Sequence, residues 1–170
     1  MNWLDVLIAL AILTPAFFGY INGFLRKFLG LLGLAVGFIL AVKFFNPVGS
    51  FVIDKLHTPE TPTLVIAFTV IIIAVYALFL YGAKYMANLH PATNIVNKLL
   101  GVATGFLQGV LLSSILLFNL NYLKFPSDET KKSSMLYSKL IDVAPKFFDK
   151  IISYFPGSKN IYEEYKKLSE

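Results

Sequence analysis

Two stretches of this chain, residues 64–83 and 99–123, contain no charged side chain. A helix of about 20 apolar residues rises ~1.5 Å per residue and so matches the ~30 Å hydrocarbon core of a bilayer. Two further apolar runs precede them, so four long apolar stretches fill most of the first 123 residues. A chain built this way is expected to be an integral membrane protein. Its backbone must then be helical, because lipid offers no partner for an open N–H or C=O.

Composition agrees. Of 170 residues, 56% are hydrophobic, and the mean hydropathy is +0.68. There is no cysteine, which excludes disulfides, thiolate zinc sites and a cysteine nucleophile. The net charge of +5 comes from lysine-rich loops and tail. In a membrane protein such residues set orientation and touch lipid headgroups, so membrane lipid is the expected partner and nucleic acid is not. Residues 6–18 have the look of a signal-peptide core. No Lys or Arg precedes them and no cleavage site leads into a polar chain, so they read as a retained span.

The spans are expected at residues 3–21, 28–45, 63–85 and 99–122. Trp3 is placed as an interfacial anchor, and Pro15 is expected to kink the first span or to free a carbonyl near Ala11. A turn is expected at Asn22–Gly23. Asn46–Pro47 should end the second helix, since a residue before proline avoids the α region. Within the loop 46–62 a short interfacial helix is expected over 48–56. His90–Pro91 falls in the next connection, and Pro126–Ser127–Asp128–Glu129 is the clearest break in the chain. Beyond it, Leu140, Ile141, Ala144, Phe147, Phe148, Ile151, Ile152 and Phe155 recur at helical spacing among Lys and Asp. That pattern suits the bilayer interface or the ends of the bundle. Pro145 should divide this tail and Pro156–Gly157 should stop it, with a last polar turn or two over 160–170.

The expected fold is therefore all-α: a four-helix transmembrane bundle over 1–123, with an amphipathic interfacial helical tail over 124–170. Four spans put both termini on one side. The short opposite loops hold Arg26, Lys27, Lys84 and Lys98 without acids. Basic residues beside spans mark the cytoplasmic side, which places both termini outside.

Gly101, Gly105 and Gly109 repeat at intervals of four, on one helix face. Such small residues let a second backbone approach closely. They serve either packing within the bundle or a seam between copies around a pore. Gly33 and Gly37, with Gly30 and Ala41, form a second small-residue stripe. Gln108 lies near mid-membrane beside the glycines and is expected to face the bundle, where its amide finds a partner. Asp5 opens the first span, where an acid suits the helix dipole. A cation or proton role for it would need a basic partner from another span or the tail. Arg26 and Lys27 fit topology and headgroup contact, with a specific salt bridge or lipid site as the alternative. Lys43 can snorkel.

Catalytic material is thin. His57 and His90 are the only histidines, and the chain has no HExxH, GxSxG or P-loop. An enzyme, a metal site and a cofactor are not expected.

Taken together, Asn2-Trp3-Leu4-Asp5, Gly19-x-x-x-Gly23-Phe24-Leu25-Arg26 and Asn97-Lys98-Leu99-Leu100-Gly101-Val102-Ala103-Thr104-Gly105-Phe106-Leu107-Gln108-Gly109 resemble the colicin V production protein (CvpA) family. The similarity extends over nearly the whole chain, including Ser138-Lys139-Leu140 in the tail. The chain departs where the family often has Asp-Arg in place of Asn97-Lys98, and a basic residue in place of Gln108. The resemblance implies a bacterial inner-membrane protein tied to production of a secreted peptide toxin and to envelope homeostasis. It also implies a C-terminus outside, since some members carry a periplasmic protease domain there. Two further readings stand beside it. One is a homo-oligomeric channel or transporter built around the Gly101/Gly105/Gly109 helix. The other is an anchor for an enzyme or envelope protein on another chain.

Overall fold

A computed structural model describes residues 2–87 and 94–153. His90–Pro91, Phe155, Pro156–Gly157 and residues 160–170 lie outside the described residues. All regular structure among the described residues is helical. Three helices are long: α1 (Trp3–Leu56), α2 (Glu60–Ala87) and α3 (Ile95–Tyr122). Three short ones follow: α4 (Asp128–Ser133), α5 (Tyr137–Leu140) and α6 (Val143–Ser153).

The expected first two spans belong to one 54-residue element. Gly23 interrupts it with φ 76 and ψ 178, a left-handed conformation that glycine adopts without a Cβ clash. The chain reverses there. Ile12, Pro15 and Gly19, before the break, meet Gly109, Gly105 and Gly101 of α3 in descending order. After it, Gly30 meets Gln108, while Leu34 and Phe38 share a core with Leu111 and Ile115. The N-terminal limb of α1 is thus antiparallel to α3 and the C-terminal limb is parallel to it. The limb 24–56 also pairs with α2, with Gly33 against Phe79, Gly37 against Ile72 and Gly49 against Leu64. By contrast, α2 and α3 barely touch, and an apolar groove of about 320 Å³ lies between them, lined by Ile66, Val70, Ile73, Leu112 and Leu116.

One expectation about a proline fails. Helix α1 runs through Pro47 to Leu56 instead of ending at Asn46. Phe45 just before the proline, 3% exposed and edge-on to Phe68, and Gly49 just after it, against Leu64, both pack on α2. That continuing contact outweighs one lost backbone bond, as neighbouring helices commonly allow in membrane segments. Pro15 likewise sits inside the helix, and the non-helical dihedrals of α1 fall at Gly23.

The core is apolar and aromatic. Phe68 is edge-on to Phe38 and Phe45, with ring centroids 5.6 and 6.3 Å apart. The outer faces are equally apolar: Leu10, Leu13, Phe17, Ile66, Val70, Ile73 and Leu78 are exposed. A soluble fold would not leave so continuous an apolar surface uncovered.

Candidate functional site: a glycine seam and a polar clasp

The seam is where α3 meets the first limb of α1. A methyl group built on Gly101 would fall on the carbonyl oxygen of Gly19, and one on Gly19 would fall on that of Gly101. At Gly105 it would strike the Pro15 carbonyl, and at Gly109 it would come within 2.7 Å of the Ile12 carbonyl. The obstacles are backbone atoms, so no rotamer change relieves them. Asn97, one turn earlier on α3, accepts the Phe24 amide at 2.8 Å. That amide begins the helix after the Gly23 break and lacks an intrahelical partner. Asn97 therefore caps the second limb from another helix, and an aspartate would do the same.

Deeper in the bundle, Gln108 is fully buried and donates to the Tyr76 hydroxyl at 2.7 Å. Gly30 leaves the room: a Cβ there would lie 2.6 Å from the amide nitrogen. Three helical segments meet at this point. The Gln108 carbonyl oxygen has no partner, and neither does the buried Ser113 hydroxyl.

The densest polar constellation is at the opposite end, around Asp5. Asn2 caps α1, accepting the Leu4 amide at 2.9 Å and the Asp5 amide at 3.2 Å. In return Asp5 accepts the Asn2 amide at 3.0 Å, a reciprocal capping box. The carboxylate also takes the Ser134 hydroxyl at 2.6 Å and the Leu136 amide at 3.0 Å. Asp5 is 1% exposed. Its partners do come from the tail, yet they are a hydroxyl and an amide rather than a base. The Asn2 side chain adds bonds to the Thr130 carbonyl, 2.8 Å, and the Ser133 hydroxyl, 2.9 Å. Tyr137 donates to Asn121 at 2.9 Å. Burial, with the negative charge of Asp128, raises the Tyr137 phenol above its usual range. Finally, Ser114 of α3 accepts the Ala144 amide at 2.8 Å and donates to the Ile141 carbonyl at 3.3 Å. The tail is fastened at three levels, at the start of α1, at the end of α3 and at Ser114 within α3.

The basic residues are quieter. Arg26 donates to Asn22 at 2.6 Å and not to a carboxylate. Lys27 is 8% exposed and lies 6.0 Å from the Phe18 ring. Lys98 sits over Tyr20. No group of three metal-ligating side chains occurs among the described residues.

Ser134, Tyr137 and Tyr76 were not anticipated from the sequence, and Asn97 entered only through the family motif, without a capping role. The Asn2–Asp5 spacing is the one local signal, since it is that of a helix cap. The others act across the fold and have no sequence spacing to betray them.

Among the described residues, three helices that are long and apolar enough to cross a membrane, with apolar outer faces, define a helical membrane protein. The chain belongs to the colicin V production protein family, whose sequence model matches residues 4–145. That match runs from the first span through the clasp to the start of α6. Neither curated proteins nor solved structures include a significant match.

Proposed function

We propose that this chain is a four-span, non-enzymatic protein of the bacterial inner membrane that supports production of a secreted, colicin V-type peptide toxin and envelope homeostasis. It does so through protein partners. The observation that carries this reading is the family match over residues 4–145. The reversal at Gly23 supports the fourth span, because it folds one 54-residue helix into two antiparallel limbs. Both termini then share the side where the tail is clasped. The basic short loops argue that this side is periplasmic. In this reading the clasped tail is the surface offered to a partner.

The channel reading draws less support. The face of Gly101, Gly105 and Gly109 is occupied by the first limb of α1 within one chain, and Gln108 is fully buried. Neither is free to line a pore.

The test is complementation in a toxin-producing strain that lacks this protein. Wild type should restore toxin in the medium, and Asp5→Ala should restore less at equal membrane abundance. Normal toxin release from the deletion strain would remove the proposal.

A further inference from the structure

The amphipathic tail is expected on the membrane surface, but the structure carries it inward. Ser114, which holds the Ile141 carbonyl and the Ala144 amide, lies about eight residues before the end of α3. At ~1.5 Å per residue that is ~12 Å along the helix from Tyr122. Ala144 is 1% exposed and joins the core of Leu34, Phe38, Phe68, Leu111 and Ile115. The start of α6 therefore sits among residues of the spans.

Its charged face is open at that level. Asp142 and Lys146 form an ion pair at 3.2 Å, with side chains 60% and 75% exposed. A lysine can extend several ångströms toward the surface. The short carboxylate of Asp142 cannot, because the neighbouring Ile141 carbonyl is tied to Ser114. Charged side chains at membrane depth face protein interior or water, since lipid does not solvate them.

We propose that α6 is re-entrant, and that its Asp142/Lys146 face stands in a hydrated recess open to the side of the termini. Water-soluble solutes and reagents reach the level of Ser114 there. This inference rests on the membrane-spanning reading.

The chain has no cysteine, so single cysteines can be introduced directly. Asp142→Cys and Lys146→Cys are compared with Leu116→Cys, an exposed apolar position at similar depth. The protein is embedded in membrane vesicles and treated with a charged, membrane-impermeant methanethiosulfonate. The two tail cysteines should react within about tenfold of Asp128→Cys, and Leu116→Cys at least about a hundredfold more slowly, because the charged reagent does not partition into hydrocarbon. Tail cysteines as unreactive as Leu116→Cys would overturn the recess. Depth is read separately with Lys146→Trp, in a Trp3→Phe background. Quenching mainly by headgroup-level probes would overturn re-entry even if labelling succeeds, whereas quenching by aqueous iodide together with shallow chain-level bromines supports it. Tyr85→Cys and Asp128→Cys serve as topology controls. Labelling of both from one side would instead refute the membrane-spanning reading itself.

Discussion

The Ser134 hydroxyl meets the Asp5 carboxylate at 2.6 Å, although 129 positions of sequence separate them. With the Leu136 and Asn2 amides it surrounds a buried carboxylate with three donors. A buried charge is tolerable when it is hydrogen-bonded in this way and costly when it is not. The clasp therefore joins the first turn of α1 to the tail through one side chain.

Asp5→Ala removes the acceptor of all three bonds. Hydrogen bonds to a charged group contribute about 1.5–3 kcal/mol each, and the losses are not additive. We expect a clear loss of stability in the clasp, and faster proteolysis between α4 and α6 before the spans unfold. Ser134→Ala should cost less than Asp5→Ala. Limited proteolysis in nanodiscs, read by mass spectrometry, checks both, and an unchanged cleavage rate in Asp5→Ala would contradict the clasp.

The glycine seam makes a sharper prediction. Gly105→Leu must push α3 off the Pro15 carbonyl, and Gly101→Leu off Gly19. Both should lose folded yield and thermal stability. Gly82→Ala, with nothing within 4 Å of its Cβ position, should leave them unchanged. Thermal unfolding in detergent distinguishes the three. Equal behaviour of Gly82→Ala and Gly105→Leu would dismiss the seam.

Tyr76 and Gln108 form an interhelical pair inside the bundle. Such pairs measure about 0.6 kcal/mol on average and up to ~1.7. A double-mutant cycle with Tyr76→Phe and Gln108→Leu should give a coupling in that range. Gln108→Leu alone should be mild, because it also removes an amide oxygen that has no partner. A coupling of zero would separate the two residues.

Tyr137 predicts a response to alkali. Its folded-state pKa is raised by burial and by Asp128. The neutral phenol is thus favoured in the folded tail, and its contribution is complete below the unfolded value, about 10. As pH rises past that value the unfolded tail gains by ionising, and stability falls until the folded pKa is reached. Tail release, followed by proteolysis from pH 9 to 11 (about one unit either side of that value), should steepen in wild type and less so in Tyr137→Phe. Identical profiles would exclude a Tyr137 contribution.

Much of this protein follows from its sequence because lipid leaves the backbone few choices. Uncharged runs of spanning length become helices, as at α2 and α3. Three glycines at spacing four become a close helix contact, since no other arrangement uses the missing side chains as well. The Asn22–Gly23 turn is legible for the same local reason: glycine alone takes φ 76 freely. Proline was a weaker guide. Packing of Phe45 and Gly49 on α2 carries the helix through Pro47, and propensity does not record that packing. The partners of Asp5, the capping of Phe24 by Asn97 and the descent of α6 to Ser114 were decided by tertiary structure alone. Each joins residues distant in sequence, and each satisfies a polar group whose need is visible locally but whose partner is set by how the helices stack.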